Sequence, residues 1–144
     1  MVVAIALSVL VLAATAGLLA GAATRTSQTV PSKGKLTVLN VGVYSNSGCT
    51  QNATSVDWGL TAGITSNATV WVKNTGNSNV TLSMTTNSWS PSRASSWITL
   101  AWNQEGKVLA PNQAVQATLV LTVSSSIDRG ITDFTFNIVM AGTA

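Results

Sequence analysis

The sequence predicts an α+β fold: a long apolar N-terminal α-helix followed by a two-layer antiparallel β-sandwich. Three observations point there. Residues 1–24 form a near-unbroken apolar run, and the first ionisable side chain is Arg25. From Lys35 onward, apolar and polar residues alternate in short runs separated by Asn, Gly and Ser, the pattern of strands with one buried face. No second stretch of helical period follows. The chain therefore divides into an apolar helix at 1–24, a hinge at 25–34 and a β-domain at 35–144.

As a helix, residues 1–24 would be about 36 Å long, enough to cross the roughly 30 Å hydrocarbon core of a bilayer. Apolar on every side, such a helix must be surrounded by lipid or by copies of itself. Three destinations compete. A secretory signal peptide would end at the small residues Ala20–Ala23, but it needs a basic leader, and no Lys or Arg precedes the run. A permanent membrane anchor fits the length. The third is a helix that leaves the membrane and packs among identical helices in a fibre. This last is favoured, because the flanks fit a chain already trimmed of a basic leader. Ala13, Gly17 and Gly21 recur four apart and are the expected helix-packing positions, since small residues let backbones approach closely. The same residues are common in any membrane helix.

The hinge, Arg25 to Gly34, is polar and holds Pro31 and Gly34. Strands are expected at Leu36–Tyr44, Ser55–Leu60, Asn67–Lys73, Val80–Thr85 and Trp97–Trp102. The clearest two are Val115–Val123 and Thr132–Met140. In the first, Val115, Ala117, Leu119, Leu121 and Val123 share one face; in the second, Phe134, Phe136, Ile138 and Met140 do. The turn Asn74–Ser78, rich in residues that tolerate positive φ, predicts a hairpin between the runs on either side.

Composition narrows the function. Charged residues are 8% of the chain, well under the usual quarter or so, and Asn, Ser, Thr and Gln supply the polarity instead. The seven basic residues are spread along the sequence, which argues against nucleic acid as the primary ligand. Without histidine there is no ordinary triad and no imidazole metal ligand. Asp128 and Asp133 flank a turn, but calcium needs about six to eight oxygens, so they are read as solvated turn residues. No cofactor or metal is expected, and the chain is read as a non-enzyme. Cys49 is the only cysteine. It cannot form an intrachain disulfide and is read as a buried filler. Trp58, Trp71, Trp89, Trp97 and Trp102 are read as core or interface anchors in preference to a carbohydrate platform. Asn52, Asn67 and Asn79 each open an N-x-S/T sequon and are candidate glycan sites on an exported surface.

Several stretches resemble one family: Val43-Tyr44-Ser45, Val56-Asp57-Trp58-Gly59, Val72-Lys73-Asn74-Thr75-Gly76-Asn77, Ala101-Trp102-Asn103, Leu109-Ala110-Pro111 and Phe134-Thr135-Phe136-Asn137-Ile138. With the apolar N-terminal segment, they make the chain look like an archaeal type IV pilin over nearly its whole length, with an outer domain that resembles those of thermophilic crenarchaeal surface pilins. The resemblance implies an immunoglobulin-like sandwich and a mature chain without its basic leader. Ile5 stands where bacterial type IV pilins carry a glutamate, so the bacterial assembly contact does not carry over. The implied function is that of an extracellular type IV pilus subunit polymerised through its N-terminal helix, for adhesion or cell–cell contact. Its implied partners are the membrane before assembly, the pilus assembly machinery and other copies of itself. Two alternatives stay open: a membrane-anchored extracellular binding or adhesion domain, and a filament subunit joined by donor-strand exchange.

Overall fold

The computed structural model describes residues 31–144. Among them the chain is β throughout, apart from a single 3₁₀ turn at Ser92–Ser96. The strands are β1 (Pro31–Leu39), β2 (Gly42–Tyr44), β3 (Ser55–Gly59), β4 (Thr65–Lys73), β5 (Val80–Ser90), β6 (Ile98–Trp102), β7 (Val108–Leu109), β8 (Ala114–Val123) and β9 (Thr135–Thr143). This corrects the α+β assignment to all-β: the described chain keeps a period of two and contains no α-helix. The N-terminal helix expected at residues 1–24 lies outside the described residues. Strand β1 begins at Pro31, inside the stretch read as a hinge.

The strands form two sheets, in the orders β3-β1-β9-β5-β7 and β2-β4-β8-β6. Odd-numbered strands make the first sheet and even-numbered strands the second, so each connection crosses from one sheet to the other. The hairpin expected around Asn74–Ser78 is therefore absent: β4 pairs with β8, and β5 pairs with β9. None of the positive-φ residues falls in that turn. The sandwich is also not purely antiparallel. β1 runs parallel to β9, with Lys33 to Leu39 opposite Thr135 to Ala141. These are the first and last described strands, and no short turn joins them, so nothing forces an antiparallel pairing.

The run expected as one strand over Leu36–Tyr44 is split between sheets. Asn40 takes φ of 61°, a conformation asparagine tolerates better than most residues, and its Nδ2 donates to the Gly142 carbonyl at 3.1 Å. β1 thus ends in the first sheet and β2 starts in the second.

The core lies between the sheets. Phe136, Ile138 and Met140 of β9 face inward, as do Ala117, Leu119, Leu121 and Val123 of β8, and all are buried. Leu36 of β1, Val70 and Val72 of β4 and Leu82 of β5 complete the two layers.

One buried polar residue ties several segments together. Asn74 is fully buried. Its Nδ2 donates to the carbonyls of Ser78 at 2.7 Å and Leu109 at 3.0 Å, and its Oδ1 accepts from the Gly76 amide at 2.9 Å. Its backbone N–H donates to the Gln113 carbonyl and its carbonyl accepts from Asn112, each at 2.9 Å. The β4–β5 crossing is thereby fastened to the β7–β8 turn. Truncating the side chain would strand the buried Leu109 carbonyl and free two part-buried backbone groups; a buried group left unpaired costs roughly 1–3 kcal/mol. Asn74→Ala is expected to lower the denaturation midpoint by about 2–4 kcal/mol in stability, whereas the exposed neighbour Asn77→Ala changes it little. Urea unfolding of both variants checks this.

Candidate functional site

The acidic side chains are engaged in structure or stand in solvent. Asp57 lies 3.9 Å from Lys33 across the β1–β3 ladder, with both groups well exposed, a pairing worth little. Asp128 accepts from Arg93 Nε at 3.1 Å through Oδ2 and from the Gly130 amide at 2.8 Å through Oδ1. Asp133 is exposed. Among the described residues no cluster of three or more His, Cys, Asp and Glu could hold a metal ion. Glu105 has a bridging role that sequence reading missed. Its Oε2 accepts from Trp102 Nε1 at 2.7 Å and from the Met84 amide at 3.1 Å. One carboxylate oxygen thus joins β6 of one sheet to β5 of the other.

The three sequon asparagines are all exposed. Asn52 sits at an isolated bridge opposite Tyr44. Asn67 points outward from β4, and Asn79 immediately precedes β5. The helix-packing positions Ala13, Gly17 and Gly21 lie outside the described residues.

The tryptophans divide. Trp58 on β3 is buried opposite Ser32, and its Nε1 has no hydrogen-bond partner. Trp89 stacks on Phe136, with centroids 4.2 Å apart and an interplanar angle of 4°. Phe134 adjoins the same stack. Trp97 and Trp102 pack against the core from its margin. Trp71 does not: between buried Val70 and Val72 it projects from the opposite face of β4. That outward placement was legible in the alternation Val-Trp-Val. Outside this face, a shallow cleft beside Asn40, Asn77, Val80 and Gly142 is lined by neutral side chains.

Cys49 is not the core filler expected. It is half-buried in a surface turn, at φ of 52°. Asn46 builds that turn: its Oδ1 accepts from the amides of Thr50 and Gln51, each at 3.1 Å, and its carbonyl accepts from the Cys49 amide. The local signal was Asn46-Ser47-Gly48, turn formers that outweigh the tendency of free cysteine to be buried.

Comparison with protein-family models finds no match, and comparison with curated proteins finds none either. The surface position of Cys49 gives a direct test. The folded chain is expected to react fully with a maleimide in the absence of denaturant, read by intact mass. Labelling that requires unfolding would return Cys49 to the interior.

Proposed function

We propose that this chain is the structural subunit of an extracellular filament of the archaeal type IV pilus kind. It would polymerise through its apolar N-terminal segment, with the β-domain as the outer sheath, and serve adhesion or cell–cell contact. The observation that carries this reading is the union of two unlike parts in one chain. Residues 1–24 are a near-unbroken apolar run without a charge, which as a helix would demand lipid or protein around it. Residues 31–144 make a sandwich whose core is filled by its own side chains.

Several further features support it. The surface is dominated by neutral hydroxyl and amide groups, with three exposed sequon asparagines. An open filament requires the contact between copies to be heterologous, so that it propagates instead of closing. Full burial of each Val, Leu or Ile side chain contributes about 1.5–3 kcal/mol, reduced by the entropy of ordering. Donor-strand exchange is less favoured, because β1 already fills the position between β3 and β9.

Electron microscopy of material sheared from cells, with reconstruction of the fibre core, tests the proposal. A thin fibre with residues 1–24 at its centre supports it. A fibre with an all-β core would move the assignment to donor-strand assembly, and absence of fibres to a membrane-anchored module.

Two variant sets extend the test. Gly17→Leu is expected to abolish or distort fibres while the β-domain keeps its circular dichroism, since added bulk prevents close approach along the Ala13, Gly17 and Gly21 row. Asn52→Gln, Asn67→Gln and Asn79→Gln are each expected to remove one glycan from the intact mass of host-purified subunit. An unchanged mass at a position would delete it from the glycan sites.

A further inference from the structure

The outer face of the four-stranded sheet carries an aromatic pair that core packing does not use. Trp71 of β4 is half-buried on that face. Its register partner on β2 is Tyr44, and on β8 it is Gln116. Neither Trp71 nor Tyr44 belongs to the cluster around the core.

Tyr44 lies down along its own strand. A Cβ placed on Gly42 would meet Tyr44 Oη at 2.5 Å, Cε2 at 2.6 Å and Cζ at 2.7 Å. Glycine at position 42 is what leaves room for the phenol end of Tyr44 to lie over its own strand, and the residue stays partly exposed. The groups around the pair are almost all neutral. Thr69 and Thr118 form the next outward cross-strand pair, and Asn67 lies beyond them. The only charged group in register is Lys73, opposite Gly42. Gln116 uses its backbone carbonyl to accept from Gln104 Nε2 at 2.8 Å. Its side-chain amide has no partner among the described residues.

We propose that Tyr44 and Trp71, with Gln116 at their side, form a binding platform for a neutral pyranose ring of an oligosaccharide. One face of a pyranose is a patch of C–H groups whose hydrogens carry partial positive charge. That patch packs on the negative face of an aromatic ring, while hydroxyls at the sugar's edge exchange hydrogen bonds with a nearby amide. Few polar groups beside aromatic walls are the usual make-up of small-ligand sites. An anionic ligand would find a single lysine here. A stable protein partner would need an interface of about 1,000 Å² or more with several apolar anchors, yet hydroxyl side chains begin one row beyond the two rings. The inference does not depend on how the chain assembles.

Saturation-transfer NMR on the full chain tests it, in micelles of a zwitterionic detergent, because a maltoside headgroup would itself compete. The probes are cellotetraose, mannotetraose and chitotetraose. At least one is expected to show transfer to its C–H protons. Trp71→Ala and Tyr44→Ala are each expected to weaken binding about tenfold or more, and Gln116→Ala about threefold to tenfold. Trp102→Phe should leave binding unchanged. Circular dichroism establishes that each variant is folded. Should Tyr44→Ala unfold, the exposed Gln116→Ala and the outward-facing Trp71→Ala decide the matter. Absence of transfer to all three sugars overturns the proposal, as does transfer that survives both Trp71→Ala and Gln116→Ala.

Discussion

The structure depends on one topological constraint: each connection between successive strands crosses from one sheet to the other. No strand pairs with its neighbour in sequence, so every ladder joins distant segments. β1 meets β9 across almost the whole domain, and β4 meets β8 across β5, β6 and β7. Such pairings give no local return until long loops have closed. With a single cysteine, the chain has no internal disulfide to hold these loops. Side chains at the crossings do it instead. Asn40 reaches Gly142, Asn74 fastens two crossings at once, and Glu105 joins Trp102 to the Met84 amide. Each is a polar group tied to backbone, where unmade bonds are most costly.

The same constraint fixes where the domain meets the rest of the chain. β1, the first described strand, is not an edge. It lies between β3 and β9, with a register of seven residue pairs on the β9 side and five on the other. A load entering from the N-terminal side therefore reaches an interior strand, held along its length by two ladders. Pulling along β1 shears many hydrogen bonds together instead of peeling them one by one from an edge. Under the proposed filament assembly, a domain tethered by its N-terminal side would gain from that placement. It is also the placement that leaves no vacant groove beside β9 for a strand from another subunit.

Much of the fold was legible because burial leaves a period of two. The inward sets of β8 and β9 follow from alternation alone, since a slip of one residue would turn all of them to solvent. What the alternation cannot carry is which strand pairs with which. The segment at Asn74–Ser78 has the composition of a hairpin turn, but Asn74 is buried and bonded to Leu109, a contact 35 residues away. The strand over Leu36–Tyr44 looks continuous because Asn40 is a single polar residue in a run otherwise rich in β-branched and apolar residues. Asn40, of a type depleted in strands and tolerant of positive φ, and Gly42 were the marks of the change of sheet. Residues 1–24 are compositionally the plainest segment of all, and they lie outside the described residues. A carbohydrate platform was set aside in the sequence reading for a related reason. Trp71 was grouped with tryptophans that anchor the core, although its place between Val70 and Val72 puts it on the opposite face. Tyr44 and Gln116 become its neighbours only through non-local register.

The outward faces of both sheets show how a charge-poor surface stays useful. On the five-stranded sheet, Thr81, Ser83 and Thr85 of β5 stand opposite Thr143, Ala141 and Val139 of β9. On the four-stranded sheet, Thr65 pairs with Thr122, their hydroxyl oxygens 3.3 Å apart, and Thr69 pairs with Thr118. Hydroxyls and amides hold water without titrating, and salt does not screen them as it screens charges. A surface of this kind keeps its solvation across wide changes of pH and ionic strength. It gives up electrostatic steering in return, so recognition on it must rely on shape, stacking and neutral hydrogen bonds. Tyr44, Trp71 and Gln116 are the place on the four-stranded sheet's outer face where those three come together. Binding there would be expected to share the surface's indifference to salt, which separates it physically from any contact made through Lys33, Lys35 or Arg129.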